Sequence, residues 1–241
     1  MVHGWRARIG MILPMDNAVL EPEIAALGLG GVSTHVARLA TKTREEMPTS
    51  GVALSEVFNE LEVDAVGYAC AETSFIGGQD TNHTVRDGIT RATGRPAVTA
   101  IGAMVEALEA LGAHRPAIVA PYRQASVEAL RGYVDQAGLD IAGLVAHDFA
   151  QDSSDPREWY ETNRQPPSTA YRLARAADTA EADVVTIFAT NLRTFEVLAP
   201  LEADLGKPVV SSNSALLWAL LRRCGVATDD DRLGRLWNGA H

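Results

Sequence analysis

A lone cysteine stands in the stretch AVGYACAETSFIGG, which covers residues 65–78. Cys70 ends an apolar, β-prone run and precedes residues that can begin a helix. The free N–H groups and the positive dipole end of a helix start lower the pKa of a thiol and attract anions. The pattern therefore predicts a Cys70 thiolate beside a carboxylate-bearing ligand, although Glu72 would raise the pKa of this thiol. The alternative is a buried cysteine without a chemical role.

Two alternating patterns describe the elements that position Cys70. Short apolar runs are typical of buried strands, and amphipathic segments are typical of helices. The apolar runs cover 8–14, 64–70, 95–100, 115–121, 141–147, 183–189 and 207–212. The helical patterns cover 55–62, 101–113, 124–138, 168–182 and 213–225. This alternation predicts an α/β fold with mainly parallel sheets, and the polar stretch 150–167 is expected to be a long functional loop.

The chain also repeats its own pattern. RIGMILPMDN matches RPAIVAPYRQ at an offset of 107 residues, and GRPAVTA matches GKPVVSS at an offset of 112. VDAVGYACAE matches ADVVTIFATN at an offset of 119, which aligns Cys70 with Ala189. Three matches in the same order predict two pseudo-symmetric α/β halves with an active-site cleft between their strand ends. The first half is assigned to 1–100 plus 208–241, because the last helix is expected to fold back onto it, and the second to 101–207.

Composition and charge exclude several classes of function. The chain has 241 residues and a formal net charge of −10, which disfavours nucleic acid as a partner because that needs clustered Lys and Arg. No apolar run near the N-terminus is long enough for a signal peptide or a membrane span. Two cysteines, Cys70 and Cys224, cannot form a disulfide framework, and the six histidines show no ligand spacing. We expect a cytoplasmic protein that binds neither membrane nor metal.

Several motifs are similar to those of one family: PMDNAVLEPE, GYAC, APY, and ATNLRTFEVLAPLE followed by GKPVVSSNSALLW. They resemble the aspartate/glutamate racemase superfamily and, more narrowly, its branch of maleate cis-trans isomerases and arylmalonate decarboxylases. The resemblance covers nearly the whole chain. It implies that Cys70 is the nucleophile that adds to an alkene, that no cofactor takes part, and that the protein is a homodimer. The substrate contacts that it implies are Asn17, Tyr122 and, more loosely, Asn163. The polar residues Thr190 and Asn191, with the backbone N–H groups after Cys70 and Ala189, including that of Ala71, are expected to hold the two carboxylates with them.

Ala189 departs from the family pattern, and it is either natural or a replacement for cysteine. Maleate isomerases carry a second cysteine there, and arylmalonate decarboxylases use one thiol on the opposite half from Cys70. Amino-acid racemisation is disfavoured, because it needs an acid and a base on opposite faces of the carbon and alanine can be neither. One thiol suffices for addition to a maleate-like double bond, or for protonation of an enediolate after decarboxylation. We expect the isomerase, with the decarboxylase or a small-acid-binding protein without turnover as alternatives.

Overall fold

Two four-stranded parallel sheets form the framework of the protein. The computed structural model describes residues 2–41, 43–152, 160–227 and 229–239. The strands within these residues are β1 (Ala7–Pro14), β2 (Val32–Leu39), β3 (Ala65–Tyr68), β4 (Ala97–Thr99), β5 (Pro116–Ala120), β6 (Gly143–Ala146), β7 (Val184–Ile187) and β8 (Val209–Ser211). The sheet orders are β2-β1-β3-β4 and β6-β5-β7-β8. Because the second order repeats the first, the predicted pseudo-symmetric α/β architecture is confirmed.

Helices connect the strands and cover the sheets. The α-helices of the described segments are α1 (Leu20–Leu27), α2 (Met47–Leu54), α3 (Ala71–Phe75), α4 (Gly78–Thr93), α5 (Ala100–Leu111), α6 (Gln124–Gln136), α7 (Glu161–Arg164), α8 (Pro167–Ala177), α9 (Phe195–Leu205), α10 (Ser212–Arg223) and α11 (Arg235–Gly239). The helical pattern over 55–62 forms a 3-10 helix, Ser55–Leu61, and not an α-helix.

The inner strands β3 and β7 are more deeply buried than the edge strand β2. β3 and β7 are buried along their whole length, as expected for parallel strands covered on both faces. Most residues of β2 are only half-buried and include Ser33, Thr34 and His35, because β2 lies at the edge of its sheet. Sequence analysis missed β2, since a half-exposed strand with polar residues lacks the continuous apolar run of a buried one.

The aligned aspartates of the repeat make the same contact in both sheets. The carboxylate of Asp64 accepts the backbone N–H of Arg8 at 2.8 Å, and that of Asp183 accepts the N–H of Arg115 at 2.9 Å. Each aspartate therefore satisfies a backbone donor at the start of the strand beside it. Such a repeated contact explains why both segments keep an aspartate immediately before the apolar run.

Helices α5 and α10 begin at equivalent places and pack against each other. The Thr99 hydroxyl caps α5 by accepting the N–H of Gly102 at 3.1 Å, and the Ser211 hydroxyl caps α10 by accepting that of Ser214 at 3.2 Å. Helix α10 lies so close to β3 that a Cβ on Gly67 would be 2.8 Å from the Leu220 side chain. The last long helix therefore covers the first sheet.

Two sequence expectations need correction or remain open. The expected loop over 150–167 contains helix α7 and ends at Pro167, where α8 begins, and residues 153–159 lie outside the described residues. Strand β8 pairs with β7, so the first residues of the 208–241 segment belong with the second sheet. The other boundaries of the two halves stay a prediction.

Helix length also bears on the membrane question. Among the residues that the structure describes, each helix is too short or too polar to span a bilayer.

Candidate active site

A cavity of about 330 Å³ lies where the carboxyl ends of four central strands converge. The segments that follow β1, β3, β5 and β7 all contribute to its lining, through Asp16, Cys70, Pro121 and Ala189 among others. Parallel strands place their carboxyl ends at one edge, and ligands bind beyond that edge. The predicted cleft between the halves is therefore present, with Cys70 and Ala189 on its lining.

Cys70 occupies the residue position directly before α3, with extended backbone dihedrals (φ −123°, ψ 98°). The residue is 7% exposed and lines the cavity. Burial raises the pKa of the thiol to about 11, hydrogen bonds from Thr73 oppose this shift, and the charges of Glu72 and Asp16 add to it. The expected lowering of the thiol pKa is wrong, because the loss of water around a buried thiolate outweighs the helix start.

Glu72 is held on the cavity lining by two neighbours. Its Oε2 forms an ion pair with Arg44, 2.9 Å from Nε of the guanidinium. The Nε–H of Arg44 is not aligned to donate a hydrogen bond to this oxygen. Its Oε1 accepts a hydrogen bond from the Ser126 hydroxyl. The Arg44 guanidinium therefore compensates part of the negative charge that Glu72 places near the thiol.

The opposite wall is formed by the segment after β7. Ala189 has a φ of +119°, a backbone conformation that favours glycine over residues with a Cβ. The side-chain amide of Asn17 donates to the carbonyl and to the hydroxyl of Thr190, at 3.1 and 3.2 Å, and the Thr190 hydroxyl donates to the carbonyl of Ala69 at 2.9 Å. These contacts tie the wall of the second half to two strand ends of the first half.

Tyr122 is an aromatic residue of the cavity lining. Its hydroxyl is buried and has no hydrogen-bond partner among the described residues. Burial, together with the charges of Glu72 and Cys70, holds the pKa of the phenol well above its usual range. The ring packs edge-on against Phe75 with centroids 5.6 Å apart. Tyr122 is therefore a protonated phenol whose donor is unused among the described residues.

Most of the predicted site residues come together. Those that line the cavity are Asn17, Cys70, Ala71, Tyr122, Ala189, Thr190 and Asn191. Asn163 lies on a neighbouring groove instead, where its Oδ1 accepts the N–H of Ala18 at 2.9 Å. The Asn17 side chain is already occupied by protein contacts, since its Oδ1 accepts the N–H groups of Val19 and Leu20 at 3.0 and 3.1 Å.

Sequence analysis missed several charged residues of the cavity lining: Asp16, Arg44, Arg123 and Asp148. Asp16 and Arg123 are sequence neighbours of Asn17 and Tyr122, so their position after a strand end was a usable signal. Arg44 and Asp148 belong to segments that carry no motif, and only the folded chain brings them to the cavity.

Comparisons with known proteins agree with this architecture. The family model described as arylmalonate decarboxylase matches residues 9–237. The maleate isomerase of Pseudomonas putida is 27% identical, over 97% of this chain and 98% of the relative. The arylmalonate decarboxylase of Bordetella bronchiseptica is 25% identical, over 89% of this chain and 86% of the relative. A mutant of the Nocardia farcinica maleate cis-trans isomerase, solved with a covalently bound succinylcysteine intermediate, is 24% identical with a TM-score of 0.86, and the match covers 96% of this chain and 98% of that one.

Proposed function

Because this chain belongs to the arylmalonate decarboxylase family of enzymes, we propose that it isomerises a small maleate-like dicarboxylate between its cis and trans forms. The reaction proceeds without a cofactor, through covalent addition of the Cys70 thiolate. Membership of the family confirms the resemblance to the branch of maleate isomerases and arylmalonate decarboxylases. The choice of isomerisation within that branch is the proposal.

The single observation that carries the proposal is the distribution of sulfur over the two walls. Cys70 lines the cavity from the first half, and the equivalent position of the second half is Ala189. The resemblance places the thiol of a decarboxylase on the half where this chain has a methyl group. It places the nucleophile of an isomerase where this chain has Cys70. The relative solved with succinylcysteine is a maleate cis-trans isomerase, which agrees with the same choice.

The Cys70 thiol first releases its proton to solvent, and the bond changes then balance with one thiolate. Sγ of Cys70 forms a bond to one alkene carbon, and the π electrons move onto the other carbon and its carboxylate as an enediolate. The remaining carbon–carbon single bond rotates. The electron pair then returns to form the trans double bond, and the thiolate leaves with its original electrons. No proton needs to be added to carbon, so the absence of a thiol at Ala189 does not block this route.

Donors around the cavity support binding of two carboxylates. The Tyr122 hydroxyl is protonated and lacks a partner among the described residues, and Arg44 supplies a positive charge on the lining. We assign the backbone N–H groups of Ala71, Thr190 and Asn191 to the carboxylates as well, since helix starts and strand ends present such donors. Asn17 serves to hold Thr190 in place. A contact of Asn163 with substrate stays a prediction.

The test is a comparison of two substrates. We expect the protein to convert maleate to fumarate, followed by proton NMR, and to release no CO2 from phenylmalonate. Release of CO2 without fumarate would identify the decarboxylase. Protection of Cys70 from iodoacetamide by a dicarboxylate, with neither product formed, would identify a binding protein without turnover.

Two further expectations accompany the proposed activity. We propose a cytoplasmic homodimer, on the basis of the cysteine usage and of the family resemblance. Gel filtration with light scattering would measure the oligomeric state, and a monomer would contradict it.

A further inference from the structure

A buried carboxylate lies behind the wall that carries Ala189. Glu23 belongs to α1 and is 6% exposed. Its Oε1 accepts the backbone N–H groups of Thr194 and Phe195 at 2.5 and 2.9 Å, and its Oε2 accepts the side-chain amide of Asn213 at 2.6 Å. Glu23 therefore joins the first helix of the chain to the segment after β7 and to α10.

The same amide group of Asn213 reaches the cavity wall. Its Nδ2 donates to the carbonyl of Thr190 at 3.2 Å, and Asn17 donates to the same carbonyl at 3.1 Å. A peptide group is planar, so its N–H points away from its carbonyl. Two donors that hold the Thr190 carbonyl therefore also fix the direction of the Asn191 N–H, at a residue that lines the cavity.

The other end of the Asn213 amide is unsatisfied. Its Oδ1 is buried and accepts no hydrogen bond from the residues that the structure describes. Asn213 keeps this orientation because both groups facing its Nδ2, the Glu23 carboxylate and the Thr190 carbonyl, are acceptors. The unsatisfied Oδ1 is an acceptor that a new donor on Glu23 could use after the amide turns over.

We propose that Glu23 and Asn213 form a protonation-dependent positioning pair, which holds the Thr190–Asn191 wall in its ligand-binding geometry while Glu23 is ionised. A proton on Glu23 must reside on Oε2, because Oε1 already accepts two backbone N–H groups. That O–H would face the Nδ2 donor of Asn213. Rotation of the Asn213 amide by 180° removes the contact between these two donors, since Oδ1 then accepts a hydrogen bond from the protonated Oε2. The Thr190 carbonyl loses one of its two amide donors and faces an oxygen instead.

The surroundings of Glu23 place its protonation in the neutral pH range. Burial raises the pKa of Glu23 to about 7, its three hydrogen bonds oppose the shift, and the charge of Glu196 adds to it. The other charged groups on this side, in a groove between α1 and α9, are Arg193 and Arg232. Both are largely exposed and paired, Arg193 with Glu196 and Arg232 with Asp230. We therefore expect the ligand-binding geometry to be favoured as the pH rises through neutrality.

The first experiment measures the protonation of Glu23 and the response of Asn213 and Asn191 without any ligand. In the full-length protein, the NMR signals of the Glu23 carboxyl carbon, the Asn213 side-chain amide and the Asn191 backbone amide are followed from about pH 5.5 to 8.5. We expect all three to move with one midpoint. In the Glu23→Gln variant, the two asparagine signals should stay at their low-pH positions throughout. Titration of Glu23 without movement of the Asn213 signal, or no titration of Glu23 in this range, would overturn the proposal.

The second experiment measures binding and rests on the proposed function. Succinate serves as the probe, because it has two carboxylates and no double bond to react. We expect wild-type affinity to fall about fivefold between pH 8 and 6 relative to Glu23→Gln, because one net hydrogen bond is worth about tenfold and neither pH reaches a pure protonation state. The ratio of the wild-type affinity to the affinity of Glu23→Gln at each pH removes the effect of the titration of succinate itself. The control Glu196→Gln, at an exposed residue that pairs with Arg193, should keep the fall but move its midpoint to lower pH, because the Glu196 charge raises the pKa of Glu23.

The two proposals fail in distinguishable ways. If succinate binds with the same pH dependence to wild type and Glu23→Gln, the positioning pair is wrong and the dicarboxylate site stands. If succinate binds to neither protein, the proposed substrate class is wrong, and the ligand-free NMR titration still decides on the positioning pair.

Discussion

The strand ends that carry Cys70 and Ala189 are equivalent in topology and different in chemistry. Both follow the strand that pairs with the first strand of its sheet, β3 with β1 and β7 with β5. Cys70 has an ordinary extended backbone and presents a thiol. Ala189 has a φ of +119° and presents a methyl group, and its N–H donates to the Ser212 hydroxyl at 3.4 Å. One wall of the cavity therefore brings a thiol, and the other brings a methyl group on a backbone with positive φ.

This difference indicates how a duplicated fold becomes an asymmetric site. The repeat places two strand ends on one cavity, and the residues at those ends decide which of them reacts. The first wall holds a thiol that is mostly buried. The second wall is held from behind, because Asn17, Glu23 and Asn213 all contact the segment from Thr190 to Phe195.

A large effect is expected for the reactivity of the Cys70 wall. Since burial raises the pKa of Cys70 to about 11 and only the thiolate is nucleophilic, alkylation should accelerate about 100-fold from pH 7 to pH 9. The measurement is the iodoacetamide rate in the Cys224→Ala variant, in which Cys70 is the remaining thiol. A rate that levels off below pH 8 would show instead that the helix start lowers the pKa of the thiol.

A second thiol would make the two walls chemically alike. We expect Ala189→Cys to raise kcat for isomerisation about tenfold, because an acid opposite Cys70 can protonate the enediolate and open a second route. Ala189→Ser is the matched control, since it has a similar size and a far less acidic proton. Equal changes of kcat in both variants would mean that size, and not acidity, matters at this position.

The smallest effect concerns the backbone of the second wall. Ala189→Gly should raise the free energy of unfolding by about 1 kcal/mol, because glycine adopts a φ of +119° without steric cost. Urea unfolding measures this difference. Ala129→Gly, inside α6, is the control and should lower the free energy of unfolding by about 1 kcal/mol. Destabilisation by both substitutions would show that Ala189 is not strained.

The framework of this site could be predicted from the sequence because it rests on local patterns. Continuous apolar runs identified the buried strands, and the aligned repeat alone placed Cys70 opposite Ala189. The edge strand β2 was not predicted because its residues are half-exposed. The polar helix α4 was not predicted because its sequence, GQDTNHTVRDGITRAT, has few apolar residues to define a helical period.

The features of the site that could not be predicted depend on contacts between distant parts of the chain. Glu23 and Asn213 are separated by 190 residues, and nothing local in either segment indicates their hydrogen bond. The pKa of Cys70 also escaped prediction, because the degree of burial follows from packing and not from the position before a helix. Asn163 matched the family motif only loosely, and it lies on the neighbouring groove.

The role of Cys70 is tested most directly by the rate of fumarate formation from maleate in three proteins: wild type, Cys70→Ala and Cys224→Ala. Removal of the nucleophile should lower kcat/KM at least about 1,000-fold. Loss of Cys224, a half-buried thiol that does not line the cavity, should change it less than about twofold. A Cys70→Ala protein that is folded and still isomerises maleate at more than about a tenth of the wild-type rate would contradict covalent catalysis by Cys70.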